Sequence, residues 1–337
     1  MRHKGVVTAA VTTVLALSFV MTAAQGAAST PGVSGTHVSL TKLPSGAGSL
    51  AYRSPFTAGI HKSANNVSWA ACSALPSGDD AGGIYSFDIG TSFVLDWTTG
   101  NLTLCRGVTG VDSVIQAVPS AVAGDGYYGL SSKLVSGSLD LLLLSWGVEG
   151  GWYCLGATTS GCASTSWFTL PSTFCSAQPV GYCNPDGVVL NMTLGFTYVD
   201  IVNKDMVSCT ASAASCTTDA ASSAFAGYKP IGIAERYGKF FVSDNSCTGN
   251  IWVGTTTSMK VLYTEGNSLE AIAFREHILF VADDAYCGGN ASILFAKGGG
   301  VQSYPYFTGS IEIVGLDKEL QFTTWSPGAV YDWFVQK

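Results

Sequence analysis

Ile231-Gly232-Ile233-Ala234, Lys239-Phe240-Phe241-Val242-Ser243-Asp244, Asn250-Ile251-Trp252-Val253 and Met259-Lys260-Val261-Leu262-Tyr263 are four short β-prone segments separated by turn residues. The same order returns as Ala271-Ile272-Ala273, Ile278-Leu279-Phe280-Val281-Ala282-Asp283, Ser292-Ile293-Leu294-Phe295 and Val301-Gln302-Ser303-Tyr304. Val242 and Val281 are 39 positions apart, as are Asp244 and Asp283. A third round, Ile311 to Val314, Leu320 to Phe322 and Ala329 to Phe334, stops one strand short. Four strands in about 40 residues make the repeating unit of a β-propeller blade. An incomplete last blade leaves an exposed edge that another strand must cover. The segment His37 to Lys42 is the candidate, acting as a clasp between the first and last blades.

Looser units precede this repeat. One runs Phe56 to Ile60, Val67 to Ala71, Ile84 to Ile89 and Phe93 to Trp97; a second runs Tyr127 to Ser131, Leu139 to Ser145, Trp152 to Leu155 and Trp167 to Leu170. A third runs Val188 to Met192, Phe196 to Ile201, Met206 to Thr210 and a weak strand near Phe225. Three early and three late units predict an all-β, six-bladed β-propeller closed by an N-terminal strand. Seven blades remain the alternative because Leu102 to Ala121 has no place in this scheme, and a two-sheet sandwich is the simpler competitor.

Composition agrees with a strand-rich fold. Of 337 residues 47% are apolar, 12% are charged and 40 are Gly. Charge at about half the usual level leaves too few Glu, Lys and Arg to fill exposed helix faces. The balance of 16 basic against 23 acidic residues, without a basic run, disfavours nucleic acid as a partner. Arg2 and Lys4 precede an apolar stretch from Val6 to Ala24, followed by small residues through Ala28. This predicts a secretory signal peptide over 1–28, with a retained membrane anchor as the alternative, then a lead-in over 29–48 carrying the clasp and a propeller domain over 49–337. Past the leader, the apolar run Leu139 to Trp146 is too short to span a membrane and contains Asp140. The expected location is extracellular.

Ten cysteines follow the leader and none forms Cys-x-x-Cys, which points to structural disulfides rather than zinc or thioredoxin-like chemistry. Cys154 with Cys162, and Cys209 with Cys216, would each staple a hairpin. Cys175 with Cys183 would tie a connection between blades, Cys247 with Cys287 would couple adjacent blades, and Cys72 is left with Cys105. The sequons at Asn66, Asn101, Asn191 and Asn290 are glycosylation candidates on a secretory route.

The order Gly-Ile-Ala, then Phe-Val-Ser-Asp or Phe-Val-Ala-Asp, then Asn-Ile-Trp resembles the repeats of NHL and SMP-30/gluconolactonase-like six-bladed propellers, most clearly over 231–307. In the hydrolytic members, the resemblance implies, a Ca²⁺ ion at the channel mouth polarises a lactone or ester. Their Glu, Asn and Asp ligand positions do not map onto this chain residue by residue. The candidates for a ligand or Ca²⁺ site are Asp244, Asn245, Asp283 and Asp284 after second strands, with Asp125, Asp186 and Glu270 near inter-blade loops on the same face. Against that, Asp and Asn after a strand commonly cap a turn through the local backbone.

Other chemistry is poorly supported. Gly124-Asp125-Gly126-Tyr127-Tyr128-Gly129 has Gly-x-Gly-x-x-Gly spacing but precedes a strand pattern, not the helix that a pyrophosphate site needs. There is no Gly-x-Ser-x-Gly or His-Glu-x-x-His, and His37, His61 and His277 have no triad-like neighbours. Eight Trp spread across the blades serve packing or, where exposed, sugar stacking. The reading is a module that binds an extracellular ligand, glycan or protein through its loop-rich face, with a Ca²⁺-dependent lactonase or esterase and a lectin as alternatives.

Overall fold

In the computed structural model, residues 149–275 are described continuously; outside them the described residues are mainly strands between 38 and 335. All described sheets are antiparallel. At the N-terminal end lie β1 (Val38–Leu40) and β2 (Ala51–Tyr52), then a two-stranded ladder of β3 (His61–Ser63) and β4 (Trp69–Ala71). The first four-stranded sheet contains β5 (Ala81–Asp88), β6 (Thr91–Asp96), β7 (Leu102–Cys105) and β8 (Ser113–Gln116). The second contains β9 (Tyr127–Val135), β10 (Ser138–Ser145), β11 (Gly150–Leu155) and β12 (Ser164–Thr169). A short helix α1 (Ser172–Cys175) leads to the third, made of β13 (Pro185–Leu190), β14 (Phe196–Asp200), β15 (Asp205–Cys209) and β16 (Cys216–Thr218).

The fourth sheet is β17 (Pro230–Arg236), β18 (Lys239–Asp244), β19 (Asn250–Thr255) and β20 (Ser258–Thr264). The fifth is β21 (Leu269–Arg275), β22 (Ile278–Asp283), β23 (Ser292–Lys297) and β24 (Gly300–Tyr304). The last is β25 (Ile311–Gly315), β26 (Leu320–Trp325) and β27 (Gly328–Val335), completed by β1 along β27 with Val38 opposite Val335 and Leu40 opposite Trp333. The N-terminal strand therefore supplies what the third repeat lacks. Strands β5, β9, β13, β17, β21 and β25 neighbour one another in that order, and β25 returns beside β5. This is an all-β propeller.

Among the described residues the inner strands of the second and third sheets are buried on both sides, which explains their near-continuous apolar runs. Leu139, Leu141 and Leu143 of β10 pack toward the first sheet with Phe93, Leu95, Leu102 and Leu104; Leu142 and Leu144 pack toward Val188, Phe196 and Tyr198 of the third. The period of two is still present, but each face meets a different neighbour. Val199, Met206, Ile233, Val242 and Trp252 fill the gap between third and fourth sheets, and Ile251, Leu269, Ile272, Leu279 and Val281 the next. First strands approach backbone to backbone where they carry Gly. A Cβ on Gly187 would stand 2.5 Å from the Ile231 carbonyl oxygen, and one on Gly232 2.7 Å from that of Glu270.

Three strand assignments differ from the sequence reading: Val67 to Ala71 falls in the separate β3–β4 ladder, outside the first four-stranded sheet. Ile84 to Ile89 and Phe93 to Trp97 belong to the first and second strands of their sheet, not to its outer half, and Leu102 to Ala121 supplies the third and fourth. Two Gly inside β5 blur its alternation, so the apolar run after it looks like an edge. The weak strand near Phe225 is instead a 3-10 helix over Ala220–Phe225, and the fourth strand is the polar Cys216–Thr218. Phe225 is fully buried against Trp252, edge to face at 5.0 Å, so its hydrophobicity serves a plug between sheets rather than a strand. Phe56 to Ile60 lies outside the described residues.

Disulfides join Cys154 to Cys162, Cys175 to Cys183, Cys209 to Cys216 and Cys247 to Cys287. The expected Cys72 and Cys105 pair lies outside the described side chains.

Candidate functional site

Antiparallel sheets put the loops after second strands and the connections between sheets at one end, and the shorter turns at the other. The loop-rich end is built around Asp residues that close second strands. Asp96, Asp200, Asp244 and Asp283 each pair in register with the start of the preceding strand, at Ala81, Pro185, Pro230 and Leu269, and a bulge follows in each case.

Asp244 is wholly buried and its carboxylate is filled by donors. Oδ1 accepts from Lys229 N at 3.0 Å and Ser246 N at 2.9 Å; Oδ2 accepts from Ser246 Oγ at 2.6 Å and Asn250 N at 3.3 Å. Asp244 therefore ties the entry of β17 to the loop leaving β18, and its geometry is that of a turn cap rather than an open cation ligand. Asn245 donates from Nδ2 to Glu270 Oε1, joining two sheets. Asp283 is described in its backbone only, and Asp284 and Asp125 lie outside the described residues. Among the described residues no three His, Cys, Asp or Glu side chains form a group that could hold a metal ion.

One sheet earlier, Asp200 repeats the device. Oδ1 accepts from Val202 N at 3.0 Å and Asn203 N at 2.8 Å; Oδ2 accepts from Asn184 N at 2.7 Å and Asn203 Nδ2 at 2.8 Å. Asn203 then reaches over the loop between α1 and β13, donating from Nδ2 to Tyr182 O at 2.7 Å and accepting Val180 N at Oδ1 at 3.3 Å. Glu149 Oε1 accepts Cys183 N at 3.1 Å. The Cys175–Cys183 bridge closes the same loop. The result is a short segment tied at both ends that holds Val180 at 42% and Tyr182 at 46% exposure.

Beneath it lies an unusual set of buried acceptors. Asp186 opens β13, next to Asp200, and Asp205 faces Asp200 across the β14–β15 turn. Asn184 Oδ1, Asp186 Oδ2, Asp205 Oδ1 and the Tyr198 hydroxyl have no hydrogen-bond partner. Burial, and then the Asp200 charge, raises Asp186 well above the carboxylate range against a hydrogen bond from the Ile201 backbone. The same two causes push Asp205 up to about 7, and burial pushes Asp219 up to about 6. Asp200 itself is raised by burial, with its four donors opposing. Desolvation favours the protonated acid wherever no cation compensates.

The sequence reading found Asp186, Asp244, Asn245 and Glu270 but brought them into one acidic ring; the structure divides them between two neighbouring loop systems. It missed Asp200, Asn203, Asp205, Glu149 and Tyr182. The recurrence of Asp at the second-strand end, already visible at Asp244 and Asp283, was the available signal. Asn191 is exposed in the β13–β14 turn, where its Oδ1 accepts Thr193 N at 2.8 Å and Gly195 N at 3.0 Å; Asn101 is half-buried, and Asn66 and Asn290 lie outside the described residues. Trp152 and Trp252 are buried packing residues, whereas Trp167 is 38% exposed and leans on Trp152.

No protein-family profile matches the chain, and no curated relative matches it in sequence. Solved structures resemble it in fold. One comes from the crystal structure of a nidogen/laminin complex, with a TM-score of 0.51 at 12% identity over 68% of this chain and 84% of that one. A virginiamycin B lyase from Staphylococcus aureus, crystallised with quinupristin, gives 0.50 at 12% identity over 76% and 95%. A protein of unknown function from Bacteroides thetaiotaomicron gives 0.56 at 10% identity over 83% and 82%. The nidogen and lyase neighbours are β-propeller proteins, and likeness at this identity speaks for the fold alone.

Proposed function

We propose that this chain is an extracellular, disulfide-stabilised binding module that takes a protein ligand on its loop-rich face, centred on the Cys175–Cys183 loop. The observation that carries the reading is the preorganised Val180–Tyr182 segment. A disulfide, the Asn203 amide and the Glu149 carboxylate hold it while two apolar side chains stay half-exposed. A loop ordered before binding loses little entropy on contact, and Tyr is among the residues that dominate interface energetics. Four disulfides suit an oxidising compartment. The signal peptide over 1–28 and a glycan at the exposed Asn191 belong to the same proposal, as does kinship with the NHL-like propellers. A neighbour's occurrence in a nidogen/laminin complex makes a protein partner reasonable for this fold.

The hydrolase alternative loses its leading ligand, because both Asp244 oxygens are already occupied by donors. Selection of a displayed peptide library on the purified chain tests the module. Selected peptides are expected to lose about tenfold or more in affinity with Tyr182→Ala, and to keep it with Tyr237→Ala on the opposite end. Binding indifferent to Tyr182 but lost with Tyr237→Ala would overturn the assignment of the face.

A further inference from the structure

The described disulfides are not equivalent. Cys154–Cys162, Cys175–Cys183 and Cys209–Cys216 join cysteines 7 or 8 positions apart, inside one hairpin or one connection. Each has at least one buried member, namely Cys154, Cys175 with Cys183, and Cys209. Cys247–Cys287 spans 40 positions and joins the β18–β19 loop of the fourth sheet to the segment between β22 and β23 of the fifth. Neither of its cysteines is buried, and Cys247 is exposed. A bridge exchanges only when a thiolate can reach one of its sulfurs, so access decides which one is attacked first.

The two halves of that bridge are also anchored unequally. On the Cys247 side the Asp244 carboxylate accepts Ser246 N, Ser246 Oγ and Asn250 N, while Glu265 N donates to Gly249 O at 2.9 Å and Gly266 N to Thr248 O at 3.0 Å. These bonds order the β18–β19 loop without passing through sulfur. Among the described residues, Cys287 has only the bridge and one hydrogen bond, from its N to Asn267 Oδ1 at 3.3 Å, to hold it there.

We infer that Cys247–Cys287 is a redox-cleavable clasp between the fourth and fifth sheets, opened by a dithiol reductant while the other described bridges stay closed. One thiolate of the dithiol attacks Cys247 Sγ, the sulfur–sulfur bond breaks, and Cys287 leaves as a thiolate that takes up a proton. The second thiolate then attacks the mixed disulfide and releases Cys247, so two electrons pass to the protein and the reductant becomes a disulfide. Cys247 stays where the surrounding hydrogen bonds hold it, and Cys287 is freed. An oxidised dithiol reverses the step. Cys175–Cys183 remains closed throughout, so the clasp stands whether or not the Val180–Tyr182 loop is a binding surface.

The test is graded reduction of the folded full chain with dithiothreitol, followed by alkylation and peptide mapping at each time. Cys247 and Cys287 are expected to label together, about tenfold or more ahead of Cys154, Cys175, Cys183 and Cys209, which need local opening before they can react. In the chain reduced at this bridge alone, the Cys287 amide should exchange its hydrogen several-fold faster while the Glu265 and Gly266 amides keep their protection, and oxidised dithiothreitol should restore the starting rate. Cys247→Ser plus Cys287→Ser should show the same pattern without reductant. The order of alkylation is read on the native chain, so it decides the matter even where the double variant does not fold. Labelling of another described bridge first or at the same rate would overturn the inference, as would an unchanged Cys287 amide after reduction or a loss of protection at Glu265 and Gly266.

Discussion

At the scale of single residues, the buried carboxylates around second-strand ends, across the turn into the third strand, do two different jobs. Asp244 and Asp200 are saturated by backbone and side-chain donors and act as fasteners between a strand entry and a loop. Asp205 has an oxygen without a partner and is pushed up to about 7. A carboxyl raised in the folded state holds its proton after the unfolded chain has lost it, so it stabilises below about pH 4 and loses that contribution as pH climbs through about 7. The unfolding free energy of the native chain relative to Asp205→Asn, measured by urea titration, should therefore fall from pH 4 to pH 7, by an amount on the order of a few kcal/mol. A flat difference across that window would mean that Asp205 is ionised at low pH like an exposed acid.

At the scale of strands and turns, much was legible. The Val242 and Val281 spacing gave the repeat because β18 and β22 are central strands whose residues are constrained on both faces. Cys209 and Cys216 were readable as a hairpin staple because they end one strand and begin the next, directly opposite in register. The first sheet was misread where Gly82 and Gly83 interrupt β5, since glycine leaves no side chain to show a period. The Cys175–Cys183 loop was seen as a tie but not as a presenting surface: the residues that fix it, Asn203 and Glu149, come from distant turns. Leu143 tests the packing scheme, because it faces only the first sheet from β10. Leu143→Ala should cost about 2–5 kcal/mol in chemical denaturation, whereas Val261→Ala on the exposed edge of the fourth sheet should stay within about 0.5 kcal/mol. Equal losses would contradict the two-sided arrangement.

For the whole molecule, closure depends on the short β1 strand lying along β27. A chain beginning at Thr41 keeps β2 beside Ala329 and Val330 but leaves the far half of β27 uncovered. It should melt lower than a chain beginning at Ser29 and elute as larger species on size exclusion, because an open edge strand pairs with other chains. An unchanged, monomeric elution profile would show that β1 contributes no closure.

That same pairing sets a clock on synthesis. Val38 is among the first residues of the propeller to leave the ribosome and its partner, Val335, among the last. Each inner sheet can assemble as it emerges, but the final sheet must wait for β27 to emerge and then close a loop that spans the whole propeller. The entropic cost of that closure grows only with the logarithm of loop length, so the delay matters more than the energy. Until β27 emerges, β1 has no partner, and the nascent propeller carries an open strand edge through most of its synthesis.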